Sequence, residues 1–135
     1  MAELPAEDIP GVAELWEEAG LPRPWNDPVA DIHRALDGRT STVLVHRSGT
    51  GVAGTVMVGY DGHRGWVYYV AVRRADRGRG IGRALLTAAE DWLRERGAVK
   101  VQLMVRHGND VGAYYEQLGY ADVGATTYGK WLTGP

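Results

Sequence analysis

The sequence contains no cysteine. Disulfides, thiolate nucleophiles and cysteine-based zinc sites are therefore excluded, and any covalent acyl intermediate would have to form on another residue type. No apolar run is long enough to span a bilayer, so a membrane is not an expected partner. Residues 1–18 carry six acidic side chains and no basic one, the opposite of the cationic start of a secretory signal, and a cytoplasmic protein is the expectation. Lysine is scarce: only Lys100 and Lys130 occur, and neither lies near the glycine-rich segment described below. His33, His46 and His107 have no helpful partners at metal-ligand spacing, so no metal is expected. Repeats and low-complexity stretches are also missing. What remains is 135 residues of ordinary globular composition, read as a single domain over residues 1–135 that buries roughly two thirds of its unfolded surface.

The charge is unevenly placed. Residues 1–37 hold nine Asp or Glu against Arg23 and Arg34, whereas residues 73–83 hold five arginines against Asp76 alone. A nucleic-acid binder usually shows a broader basic face, and none is expected to bind here. One cationic loop in an otherwise acidic chain suits a compact polyanion bound at one place.

The hydrophobic pattern predicts helices over residues 10–19 and 28–37, the second opened by Asn26, Asp27 and Pro28 as cap and first turn. Strands are expected at residues 42–47, 52–60 and 66–72, separated by glycine-containing turns, and so form an antiparallel meander. Ile81, Ala84, Leu85, Ala88, Ala89, Trp92 and Leu93 then mark the clearest helix, closed by Gly97. A strand over residues 99–105, a short helix over 111–118 and two weaker strands near 120–123 and 126–132 complete the reading. The fold class is α+β: a mostly antiparallel mixed sheet with one central strand-helix-strand crossover.

The crossover carries the chemistry. After the strand ending Val70, Ala71, Val72, the segment Arg77, Gly78, Arg79, Gly80, Ile81, Gly82 opens the long helix. Such a junction directs free backbone N–H groups and the positive end of the helix dipole into one concavity, and glycine lets a phosphate approach the backbone. Taken alone, a glycine-rich turn before a helix is weak evidence. The dinucleotide fingerprint would need glycine where Arg83 stands, and a P-loop would need Gly-Lys-Ser/Thr. Both nucleotide readings are disfavoured.

The segment does resemble the acetyl-CoA site of the GNAT superfamily of N-acetyltransferases, whose signature is Arg/Gln-x-x-Gly-x-Gly/Ala at this junction. Downstream, Asn109, Ala113 and the run from Tyr114, Tyr115 to Gly119, Tyr120 resemble the family's aromatic-Tyr-x-x-x-Gly-aromatic segment. The likeness extends over about residues 43–132. More narrowly, residues 23–28, 59–65 and the closing Gly129-Lys130 resemble the small bacterial YpeA-type branch. The resemblance implies the GNAT fold and acetyl-CoA as cosubstrate, with its pyrophosphate on the backbone of Arg77 to Gly82. It also implies a pantetheine arm paired along Val70, Ala71 and Val72 and contacted by Asn109, and Tyr115 as proton donor to the departing thiolate. The reaction implied is direct attack by an amine in a ternary complex, with charge on the attacked oxygen held by a backbone N–H such as that of Val72. The acceptor is a small-molecule or peptide amine, and a homodimer is left open.

Two departures stand out. Only residues 1–4 precede Pro5, so the family's full first strand is either very short or cut by a late start of the chain, and the glutamate many members carry on the central strand is absent from Trp66-Val67-Tyr68-Tyr69-Val70-Ala71-Val72. That absence leaves the base unassigned and keeps a rival in view, a non-catalytic acyl-CoA-binding or regulatory module. Several residues each admit two roles. Asn109 is a cofactor contact or a helix cap, Asp61 with His63 a proton relay or a solvated turn, and Trp25 part of the acceptor pocket or of the core. Trp16 has the same two readings, with core favoured because it lies on a helical stripe, and Trp92 is read as core. Glu17, Glu18, Asp27 and Asp31 are candidates for drawing in a cationic acceptor, or else they form a solvated helix face.

Overall fold

The computed structural model describes residues 1–21, 27–49, 51–106 and 111–133. The chain divides into two compact units, Met1–Leu103 and Met104–Pro135.

In the first unit, β1 (Ala2–Glu3), β2 (Ser41–Ser48), β3 (Gly51–Tyr60), β4 (Gly65–Val72) and β5 (Val101–Gln102) form a sheet in the order β1-β2-β3-β4-β5. Neighbours are antiparallel except β4 and β5, which run parallel across the crossover made by α3 (Ile81–Glu95). The meander and the crossover are as expected, and β1 is the very short first strand for which residues 1–4 left room. Helices α1 (Ile9–Glu18) and α2 (Pro28–Asp37) complete this unit. Asp27 caps α2, its Oδ1 accepting the Ala30 N–H at 3.2 Å, and Pro28 fills the first position, where a missing N–H costs nothing.

Strand alternation sorts the two faces. Ile9, Val12, Leu15 and Trp16 of α1 and Ile32 and Ala35 of α2 form one cluster with Val43, Val45 and Ala71 of the sheet. On the α3 side the sheet presents glycine where the helix comes closest. A Cβ on Gly54 would lie 2.8 Å from Leu85 Cδ1 and 3.0 Å from Ile81 Cγ2, and one on Gly65 would lie 2.5 Å from Leu93 Cδ1. These two absent side chains let both ends of α3 seat against β3 and β4, and the N-terminal end carries the glycine-rich loop. Of the stripe predicted for α3, Ile81, Leu85, Ala89 and Leu93 are buried together with Leu86. Trp92 departs from the core assignment: it is only half-buried, because it lies at the helix margin with Arg96 stacked 3.6 Å over its ring.

The second unit contains α4 (Gly112–Gln117). The strands expected at residues 120–123 and 126–132 are not formed among the described residues, and that over 99–105 is reduced to Val101–Gln102. The reason is local. The Tyr120 N–H returns to Tyr115 O at 3.1 Å as part of the helix end, and Asp122 Oδ1 takes the Gly124 N–H at 2.8 Å in a turn. Those bonds satisfy backbone groups that a ladder would otherwise use.

Candidate active site

The loop between β4 and α3 is built for an anion. Gly78 and Gly80 have φ of 81° and 77°, left-handed values that favour glycine, and a Cβ at either would meet nothing within 4 Å. Open space therefore lies beside the backbone. The first intrahelical bond into the loop is Ala84 N–H to Gly80 O at 3.0 Å, so the N–H groups of Ile81, Gly82 and Arg83 precede the helical ladder. Arg77, Gly78, Arg79 and Gly80 are exposed. Arg77 Nε donates to Val72 O at 3.3 Å, and Arg79 reaches Asp76 at 3.4 Å. Arg73 is held apart from the loop, donating through Nε to Val52 O at 2.6 Å. The residues fit a pyrophosphate: free amides, no obstructing side chain and surplus positive charge.

Among the described residues of the first unit, the edge of β4 next to the loop has no strand partner. The pairing of β4 with β5 is confined to Gly65↔Val101 and Trp66↔Gln102, so beyond Trp66 the two strands no longer share a ladder. Arg73 N–H donates to Ala53 O at 2.7 Å, so by the alternation of strand amides the N–H and C=O of Val72 point away from β3. An extended polar arm could add there as a strand would.

A β-bulge, which the sequence alone does not reveal, sits in the middle of β4. Thr55 pairs with Ala71 and Met57 with Tyr68, leaving Tyr69 and Val70 opposite Val56 alone. Tyr69 takes a φ of 52°, unique among the described non-glycine residues, at a cost of about 1–2 kcal/mol. Three contacts offset that cost. The Tyr69 ring stacks on Trp16 with centroids 3.8 Å apart; its carbonyl accepts from Thr55 Oγ1 at 3.1 Å; its hydroxyl donates to Asp31 Oδ2 at 2.9 Å. Thr55 is fully buried and in turn accepts the Trp16 indole N–H at 2.8 Å. Burial, followed by the bond to Asp31 and the charge of Asp31, holds the Tyr69 phenol well above the usual tyrosine range.

The extra residue of the bulge brings consecutive tyrosines to one pocket. This space of about 340 Å³ is lined by Tyr68, Tyr69 and Met57 of the sheet with Asp31, Arg34 and Ala35 of α2, among others. Sequence reasoning does not single out either central-strand tyrosine as a site residue. The available signal is the Tyr-Tyr doublet, which breaks strand alternation. Trp16 is core, as expected, and is also the platform for Tyr69.

In the second unit, Tyr115 is half-buried on α4, edge-to-face with Tyr114 at 5.3 Å and with Tyr120 at 5.9 Å. Its carbonyl accepts from Leu118 and Tyr120. Burial, then the neighbouring Tyr114, raises its pKa, so it stays a protonated phenol at neutral pH. Asn109, Trp25 and His107 lie outside the described residues. Asp61 Oδ1 accepts the His63 and Arg64 N–H groups, each at 2.7 Å. Those bonds lower its pKa and make it the cap of an exposed turn. The acidic candidates on the first two helices are mostly engaged: Glu18 pairs with Arg73, Asp27 caps α2, and Asp31 serves Tyr69 and Arg34. Among the described residues no group of three or more His, Asp or Glu could hold a metal, and no helix is long and apolar enough to cross a membrane.

The first unit thus has an α+β fold with a bulged central strand that parts from its parallel neighbour and a glycine-rich turn into a helix. The acetyltransferase (GNAT) family model matches residues 10–120, and the chain belongs to that family. It is 46% identical over 127 residues, covering 93% of this chain and 90% of the relative, to an acetyltransferase of Pectobacterium atrosepticum. Among solved structures it is similar to a ribosomal-protein-alanine N-acetyltransferase from Brucella melitensis biovar Abortus, with TM-score 0.76, 26% identity and 96% of each chain covered. A transcriptional regulator from Bacillus halodurans has TM-score 0.81 at 20% identity, covering 96% of this chain and 97% of that one; at that identity the likeness concerns the fold alone. The family supports acyl transfer from acetyl-CoA.

Proposed function

We propose that the protein is a cytoplasmic N-acetyltransferase that moves the acetyl group of acetyl-CoA to an amine acceptor, a small molecule or a peptide, by direct attack in a ternary complex. The observation that carries this reading is the edge of β4 beyond Trp66, unpaired with β5 and leading into the open glycine loop. Bound acetyl-CoA would supply an activated acetyl thioester. The amides of Gly78, Gly80, Ile81 and Gly82 hold the pyrophosphate, with Arg77 and Arg79 adding charge. Val70, Ala71 and Val72 align the arm, and the Val72 N–H would hold the charge that develops on the attacked oxygen. Asn109 would contact the arm, a role that rests on its place in the family-like segment alone. Tyr115 donates the proton that the departing sulfur takes up, a role supported by its protonated state and its place in the family-like segment. No nucleophile on the protein is needed, in keeping with a sequence that contains no cysteine.

The test is CoA release from acetyl-CoA across a panel of amines and peptides, with the acetylated product identified by mass. Acceptor-dependent release is expected. Tight acetyl-CoA binding without release for any acceptor would instead establish a non-catalytic acyl-CoA-binding module.

A further inference from the structure

The pocket between α2 and the bulged strand has a specific charge pattern. Asp31 and Arg34 lie side by side at its rim, Arg34 Nη2 donating to Asp31 Oδ1 at 2.5 Å, while Tyr69 donates to the other carboxylate oxygen. Each oxygen of Asp31 thus accepts one bond and keeps further acceptor capacity, and the carboxylate is only 23% exposed. The Arg34 side chain is 71% exposed, so most of its five donors are uncommitted. The remaining wall is largely apolar, from Met57, Ala35 and Tyr68, a residue that is 40% exposed. The charges of the two named ions cancel. A dication such as a polyamine would gain at Asp31 and be repelled at Arg34.

We infer that this pocket receives the acceptor, and that the acceptor carries an anionic group next to its amine, with Asp31 taking the ammonium and Arg34 the anion. The bound ammonium releases one proton to water to become the attacking amine, and the second proton, lost from nitrogen as the amide forms, replaces through water the one Tyr115 gives to the sulfur. The ligand class is a free amino acid or a compact amino-phosphate, with an apolar portion against Met57 and Tyr68. The volume suits such a molecule, lying at the small end of ligand sites. The inference rests on the acyl-transfer reading above and narrows its acceptor. It also narrows the expectation that the acidic helices draw in a cationic acceptor: Glu18 pairs with Arg73 and Asp27 caps α2, whereas Asp31 lines the pocket and keeps acceptor capacity beside Tyr69 and Arg34.

The experiment compares amino acids with their own amides, which keep the amine and the side chain and lose only the carboxylate. Ethanolamine phosphate and cadaverine provide the phosphate and dication arms. Acetylation is measured as kcat/KM, and in parallel each compound is titrated by saturation-transfer NMR onto the protein bound to CoA. An amino acid should exceed its amide by about tenfold or more, the scale of one hydrogen bond to a charged group. Arg34→Glu, an exposed change on α2, should reverse the order and favour cadaverine, whereas Asp31→Asn should weaken every amine. A phosphate preferred over a carboxylate supports the same site with the other anion. Should nothing be acetylated while NMR shows the amino-acid preference and its loss in Arg34→Glu, the pocket stands and the transferase reading falls. Amide equal to acid in both measurements, or an order unchanged by Arg34→Glu, overturns the inference.

Discussion

The indole of Trp16 and the phenol ring of Tyr69 lie face to face, 3.8 Å between centroids and 4° between planes. This stack joins the first helix to the one residue of β4 that occupies a left-handed conformation. Both rings are further tied through Thr55, which accepts from the indole and donates to the Tyr69 carbonyl. The bulge, and with it the aim of Val70 to Val72, depends on this buried arrangement.

Replacement of Thr55 by Val should therefore affect stability and turnover together. The change preserves volume but leaves the buried Trp16 N–H without an acceptor, costing about 1–3 kcal/mol. Urea unfolding should show that loss, and kcat should fall as the bulge relaxes. Thr55→Ser restores the hydroxyl and should recover most of both. An unaltered unfolding midpoint in Thr55→Val would show that the hydroxyl does not hold the bulge.

The raised pKa of Tyr69 predicts a specific loss of stability in alkali. The unfolded chain releases a phenol proton near pH 10, whereas the folded protein holds the Tyr69 proton to higher pH. Between those points the unfolded state binds fewer protons, so stability falls as pH rises. The contribution is intact below about pH 10 and lost progressively above it. Tyr68 and Tyr115 are shifted in the same direction and add slopes of the same sign. Tyr69→Phe should flatten the alkaline decline measured by urea midpoints, at a cost near neutrality of about 1–2 kcal/mol from the lost bond to Asp31. Identical slopes in the two proteins would refute the assignment.

The elements legible in the sequence are those set by local periodicity and caps: the meander, α3 with its loop, and α2 beginning at Asp27-Pro28. The loop is readable because glycine spacing and arginine density act within a few residues. The bulge is not, because the Tyr-Tyr doublet only hints at broken alternation; what holds the bulge is Trp16 and Thr55, 53 and 14 residues before Tyr69. Asp31 escapes notice as a partner of Tyr69 for the same reason, since a contact across 38 residues leaves no local pattern. The final strands are overestimated because alternating apolar residues near 120–132 carry strand propensity, yet a strand exists only where a neighbour accepts its bonds.

Gly82 gives the cleaner test of the loop. Gly80 has a left-handed φ, so Gly80→Val combines strain with obstruction, whereas Gly82 lies in the first turn of α3. Gly82→Val should remain folded, with a change within about 1 kcal/mol, and should lower acetyl-CoA affinity by more than about tenfold through obstruction of the amides. Calorimetry on the folded variant decides it. Unchanged affinity would remove the pyrophosphate from this loop.

Tyr115→Phe addresses the enzyme reading most directly. The substitution deletes one hydroxyl and keeps the ring, so the edge-to-face contacts with Tyr114 and Tyr120 persist and stability should change little. Because burial raises the Tyr115 pKa, the wild-type phenol remains protonated through the neutral range and is available as a donor. General acid catalysis contributes roughly 10²–10⁴-fold, and the lower end applies here because a thiolate is already a good leaving group. The variant should therefore lose about 10²-fold in kcat while binding acetyl-CoA as tightly as before. If the basic limb of the pH–rate profile reports ionisation of this phenol, that limb should vanish with it, and in the wild type it should lie above about pH 10, the unperturbed tyrosine value. The comparison is made by single-turnover kinetics at saturating acceptor, where chemistry and not product release is observed. A wild-type single-turnover rate in Tyr115→Phe would make Tyr115 a packing residue, with water delivering the proton to the departing sulfur.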